Sequence, residues 1–210
     1  MAGYCSGLTR PARGEVLHFS EDPSITVFEP HVAATARQAE PYVWAVDFDH
    51  SPSYWFPRDC PRILTWASTT TTQADRDRFL GRSSRVHAIE YRWLQRMESV
   101  VLYAYRFSAS VFAPFGTPKP HAWVATVPIR PLGPPRPVGS LLGAHAAAGI
   151  ELRLLAELGP YWHEVIASTV GYSGIRLRNA RIRNQITFQA WPRPDCRCAS
   201  PKPSGAAPSL

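Results

Sequence analysis

Proline sets the limits on what this chain can fold into. Twenty-one of its 210 residues are proline, and all but Pro160 are gathered between Pro11 and Pro61, between Pro114 and Pro137, and after Trp191. Each one removes a backbone donor and fixes φ, so neither a long helix nor a central strand runs through such a stretch. A doubly wound parallel sheet needs crossover connections of a dozen residues or more, usually helical. This chain breaks before it can supply many of them. The pattern predicts an α+β fold: a single compact domain with a split mixed or antiparallel sheet and short helices.

The strand expectations rest on short apolar runs and on alternation. They fall on Glu15 to Phe19, Tyr42 to Phe48, Arg62 to Trp66, Val86 to Tyr91, Val100 to Phe107, Trp123 to Ile129, Glu151 to Leu155 and Ile175 to Asn179. Asp22–Pro23 and Ser51–Pro52 read as helix caps followed by a first-turn proline. Further helical segments are expected over Thr72 to Leu80, Trp93 to Met97, Pro137 to Ala148 with Gly149 as C-cap, and Tyr161 to Ser168. Residues 1–14 read as a disordered lead-in, 15–190 as the domain, and 191–210 as a disordered Pro-rich tail.

Hydrophobic residues at 45% and charged residues at 19% exclude a wholly disordered chain. No apolar run reaches the roughly 18–20 residues of a membrane-spanning helix. The opening MAGYCSGLTRPARGE offers no apolar core for a signal peptide, so a cytoplasmic location is expected. The net charge is +7, but all except one of those charges lie before Glu15 or after Ala180. A near-neutral body with basic ends makes nucleic acid a disfavoured partner, though one the ends permit. Cys5, Cys60, Cys196 and Cys198 contain no C-x-x-C pair, and no two of His18, His31, Asp47 and His50 have helical ligand spacing, so no metal site is expected.

Chemistry concentrates in the first third. Two segments, LHFSEDPSITVFEPH and VWAVDFDHSPSYWFPRDCPR, each lead a strand into a turn. Backbone N–H groups converge at such junctions and favour anions. FPRDCPR places Arg58 and Arg62 four residues apart beside Tyr54 and Trp55. Planar guanidinium groups suit bidentate phosphate recognition, and the aromatic pair suits a flat ring. The alternative role for Arg58 is to pin its loop through Asp47 or Asp59.

The strings HFSEDPSI, FPRDCPR and GIRLRNA resemble an uncharacterised bacterial domain family over roughly residues 15–180. More distantly, the order of elements resembles the ADP-ribosyltransferase-like fold. That resemblance implies that His18, in LHFS, holds the nicotinamide ribose of NAD, and that Tyr54, in VWAVDFDHSPSYW, stacks on the nicotinamide. His18, Tyr54 and His50 are thus the catalytic candidates, and Ser20, Trp55, Arg58 and Arg62 the cofactor-binding ones. Members with transferase activity need an acid on a later strand, and HAWVATVPIRP has none. The expectation is therefore a protein that binds NAD or another small nucleotide, as an NAD-dependent transferase or hydrolase. The alternatives are a non-catalytic ligand-binding protein and a nucleic-acid module using the basic termini.

Overall fold

A computed structural model of the chain describes residues 10–32, 40–116 and 120–181. Most of the expected lead-in, the Pro-rich tail, Cys5, Cys196, Cys198 and both lysines lie outside the described residues. The strands are β1 (Glu15–Ser20), β2 (Val43–Ala45), β3 (Arg62–Trp66), β4 (Arg85–Glu90) and β5 (Tyr103–Ser108), followed by β6 (Ala113–Phe115), β7 (Ala122–Ala125), β8 (Arg136–Pro137), β9 (Glu151–Leu155) and β10 (Gly171–Ile175). Four short helices accompany them among the described residues: α1 (Gln73–Asp75), α2 (Leu94–Ser99), α3 (Leu141–Ala147) and α4 (Leu158–Ile166). The architecture is α+β, with three small sheets.

The sheet orders are β1-β5-β8, β10-β3-β4-β9 and β2-β7-β6. Among the described residues β4 and β9 form the one parallel pair, and the other pairings are antiparallel. A two-way bridge between Leu17 and Val46 fastens the first sheet to the third. In β4 every residue after Arg85 is buried. Both its faces are covered, by α2 and α3 packing with Ile89 and Met97, and by Phe79, Leu158 and Val165 on the other side. A third cluster, around Phe28, Tyr105 and Phe107, fills the space between β1, β5 and β7.

α1 and α3 start at side-chain caps. Thr72 Oγ1 accepts from Asp75 N at 3.2 Å, and Ser140 Oγ accepts from Gly143 N at 3.0 Å. Gly149 has φ 66°, the left-handed conformation expected of a residue that stops a helix. Four segments depart from the sequence expectation. Asp22 caps no helix; its Oδ1 accepts from Ser24 N at 2.8 Å and closes an isolated turn. Tyr105 then occupies the following backbone, donating to Asp22 O and accepting from Ile25 N. Pro137 pairs with Tyr103 in β8, so α3 begins only after Ser140. The strand expected over Trp123 to Ile129 ends at Ala125, and Ile129 instead bridges Phe28. The strand expected over Ile175 to Asn179 is a turn. β10 lies upstream, and Arg176 takes φ 56°, ψ 26°, before a 3-10 turn at Leu177–Asn179.

Beneath α3 lies a pair of buried histidines that sequence spacing does not reveal. His145 Nδ1 is 2.8 Å from Leu141 O, and His145 Nε2 is 3.1 Å from His87 Nδ1. A carbonyl only accepts, so His145 Nδ1 carries a proton and Nε2 accepts from His87. That leaves His87 Nε2 as a buried acceptor with no hydrogen-bond partner among the described residues. Burial drives both imidazoles below their ordinary pKa, His145 to about 4, so the pair is neutral at physiological pH.

Candidate functional site

A cleft of about 640 Å³ opens where β1, β2, the 3-10 turn at Ser51–Tyr54 and the end of β10 converge. The volume lies within the roughly 300–1,000 Å³ that small-molecule sites span. Its wall includes His18, Ser20, Tyr54, Arg58 and Arg62. Five residues expected to act together therefore share one cavity, although they come from two separate sequence segments.

Strand β1 places His18 by pairing with β5, and the ring leans on Phe28 at a centroid distance of 4.9 Å. His18 Nδ1 is 2.8 Å from the Trp44 carbonyl, which fixes the tautomer and leaves Nε2 as the acceptor. Burial lowers the His18 pKa against that bond, and the charges of Arg58 and His31 lower it further, so the imidazole is neutral at pH 7. Ser20 Oγ accepts from Asp22 N at 3.1 Å and keeps its own proton to donate.

Pro52 opens the 3-10 turn that presents Tyr54, which is 36% exposed. Behind it, Arg62 is only 4% exposed. Its Nε donates to Ser53 O at 2.8 Å and one terminal nitrogen to Cys60 O at 3.0 Å, which locks the guanidinium against the rings of Phe56 and Tyr54. Among the described residues no carboxylate pairs with it. Burial lowers its pKa to about 10, so it remains charged at neutral pH. Burying a charge is costly, and two backbone carbonyls and two aromatic faces offset part of that cost here.

Arg58 is exposed at the cleft mouth. Its backbone N–H donates to Glu21 Oε1 at 2.9 Å, and its guanidinium has no ion pair among the described residues. The pairing with Asp47 or Asp59 is not what forms. Asp47 accepts instead from His50 Nδ1 at 2.7 Å and from Trp123 Nε1 at 3.2 Å. Burial acts to raise the Asp47 pKa, but these bonds outweigh it and hold the carboxyl below its ordinary value.

Two expected site residues fall elsewhere. His50 caps the 3-10 turn and is held by Asp47, away from the cleft wall. Trp55 is 1% exposed and packs in the main core, edge-on to His145, because the 3-10 turn points Tyr54 and Trp55 in opposite directions. Of the pair, only Tyr54 lines the cleft. Sequence reasoning missed other wall residues, among them Glu29 and His121, and Arg176 of the IRLRN string joins them there. Glu21 also lines the wall, with Oε1 on the Arg58 amide and Oε2 paired to Arg96.

A buried acid anchors the segment that follows Arg176. Glu90 accepts from Arg92 Nε at 2.6 Å and from Arg181 N at 2.7 Å, and Asn179 Nδ2 donates to Asp59 O at 2.8 Å. The segment after Arg176 is thereby tied to the loop that carries Arg58.

No group of three or more His, Cys, Asp or Glu among the described residues has the geometry to hold a metal ion. No helix of the described residues is long and apolar enough to cross a membrane. A family model described as a family of unknown function (DUF6886) matches residues 17–180, close to the 15–180 stretch for which the sequence suggested an uncharacterised family. No curated protein matches, and no solved structure matches.

Proposed function

The chain belongs to this family of unknown function, DUF6886, and we propose that its cleft binds a small nucleotide, with NAD the leading candidate. The observation that carries this reading is the convergence of His18, Tyr54, Arg58 and the buried, acid-free Arg62 on one cavity. The aromatic face of Tyr54 receives a flat ring. Arg58 and Arg62 receive phosphate oxygens through charge-assisted hydrogen bonds. His18, held by the Trp44 carbonyl, accepts from a ribose hydroxyl through Nε2. The roles of His18 and Tyr54 are those the ADP-ribosyltransferase-like resemblance implies, whereas those of Arg58 and Arg62 rest on guanidinium chemistry and on their place in the cleft wall.

Whether chemistry follows binding depends on an acid. β7 (Ala122–Ala125) has none, and Glu21 is engaged by Arg96 and the Arg58 amide. Those facts favour a second reading, a ligand-binding protein without turnover. Glu29 is the other acid on the wall and the one through which a transferase or hydrolase would polarise a ribose hydroxyl. Saturation-transfer NMR and calorimetry with NAD test the binding. Release of free nicotinamide, and its loss in Glu29→Gln, separates the enzyme from the binding protein. Absence of any nucleotide contact in the NMR experiment would remove the proposal.

A further inference from the structure

We propose that Arg176, together with Arg62, forms a phosphate subsite in the cleft that takes a doubly charged phosphate group, and that Arg176 is its specificity-determining residue. This deepens the nucleotide reading and rests on the same cleft, but it has its own observation.

Arg176 is the one non-glycine residue with positive φ among the described residues. L-residues with a Cβ avoid this left-handed region, where glycine is at ease. Nothing in the connection itself calls for arginine, and a glycine would make the same turn without strain. Strained backbone of this kind persists where a side chain is needed in one place. The place is the cleft wall, which Arg176 helps to line.

The register shows how the turn works. Ile175, the last residue of β10, pairs with Arg62, the first of β3. The left-handed step at the next residue ends the strand beside Arg62 and sends the chain into the Leu177–Asn179 turn. The Glu90, Arg92 and Asn179 contacts hold that turn in place. Arg62, Arg176 and Tyr54 all line the same cleft, and the residue before Arg176 pairs with Arg62. Neither has an ion-pair partner among the described residues. Two guanidinium groups on one wall, neither neutralised by an ion pair among the described residues, suit two negative charges. A terminal phosphate monoester supplies them, and so does the diphosphate bridge of a dinucleotide.

The test is titration calorimetry of the full chain with inorganic pyrophosphate, AMP, ADP-ribose and adenosine, on wild type, Arg176→Gly and Arg176→Asn. Wild type is expected to bind pyrophosphate, and to bind the phosphorylated nucleosides at least about tenfold more tightly than adenosine. Both variants lose that phosphate increment and leave the adenosine affinity unchanged. Both keep or raise the melting temperature, because Gly and Asn accept the left-handed turn. An increment with AMP identifies the terminal phosphate, and one with ADP-ribose alone identifies the diphosphate bridge. Failure of wild type to bind pyrophosphate overturns the inference, as does a variant that binds all four like wild type or melts well below it. Binding of pyrophosphate, dependent on Arg176, with no binding of any nucleoside or nucleotide leaves the subsite standing and removes the nucleotide reading.

Discussion

Acidification from pH 7 to pH 5 should weaken this fold, with much of the loss traceable to one histidine. His145 is 2% exposed, is packed between Trp55 and Phe56, and titrates in the folded state at about 4 rather than at the ordinary 6.5. The unfolded chain takes up the proton once pH falls below 6.5, whereas the native state refuses it until about 4. Protons therefore favour unfolding across that window, and native stability falls with pH throughout it. The linkage relation puts the loss from His145 at about 2 kcal/mol between pH 7 and pH 5, rising to about 3 kcal/mol at pH 4. His87 shifts in the same direction for the same reason, so the pair loses at least this much. Carboxylates contribute little above pH 5, because even unfolded they remain ionised there. Urea unfolding followed by tryptophan fluorescence, at half-unit steps of pH, gives the stability of wild type and of His145→Gln. The variant is expected to start lower at pH 7, having lost a packed ring, but to have a flatter profile. The difference between the two profiles should shrink by about 2 kcal/mol on going to pH 5. Parallel profiles would show that the native state accommodates the imidazolium, and the account of a neutral buried pair would fail.

Arg58→Ala should weaken nucleotide binding by about tenfold to a hundredfold with little change in melting temperature, since its guanidinium pairs with no acid among the described residues. A large drop in the ligand-free melt, with an unchanged NAD-induced shift, would defeat its role as a phosphate contact. Tyr105→Phe should lower stability by about 1–2 kcal/mol in urea titrations, because the phenol both donates to Asp22 O and accepts from Ile25 N. Gly174→Ala should lower stability by about 1 kcal/mol or more, since a Cβ there would meet Leu177 Cδ1 at 2.6 Å and Trp162 at 2.9 Å; an unchanged melt would mean that the indole moves aside freely.

The parts of the fold legible in the sequence are those where one face or both faces of an element are buried in a regular way. β1, β3, β4 and β9 fall where alternation or a continuous apolar run puts them. The errors come from local codes that serve two structures equally. Asp followed by Pro and Ser supports a helix cap, but the same carboxylate bond closes a lone turn, and the distant Tyr105 hydroxyl decides between them. IRLRN alternates like a strand, yet the left-handed step at Arg176 breaks the period, and no residue type there announces it. His18, Tyr54, Arg58 and Arg62 were legible as site candidates because each lies in a polar string beside a turn. Glu29 was not, since only the bridge from Phe28 to Ile129 brings it to the cavity, and Arg176 stood among several arginines of one string until the pairing of β10 with β3 set it on the cleft wall. The His87–His145 pair was equally hidden, being made by two residues 58 apart in sequence.

The pairing of Ile175 with Arg62 also sets the order in which the molecule can assemble. These partners are more than a hundred residues apart, and β1 likewise waits for β5. Such long closures are slow, because the chain loses its loop entropy before any contact rewards it. The chain segment from β3 through β9 can gather around β4 while β10 is still loose. The cleft cannot, because Gly174, Ile175 and Arg176 supply part of its wall. Ligand competence should therefore be the last property to appear in a refolding experiment, trailing the burial of the tryptophans. A ligand present from the start would speed the final step only if it engages the half-formed wall of His18, Tyr54 and Arg62 before β10 docks.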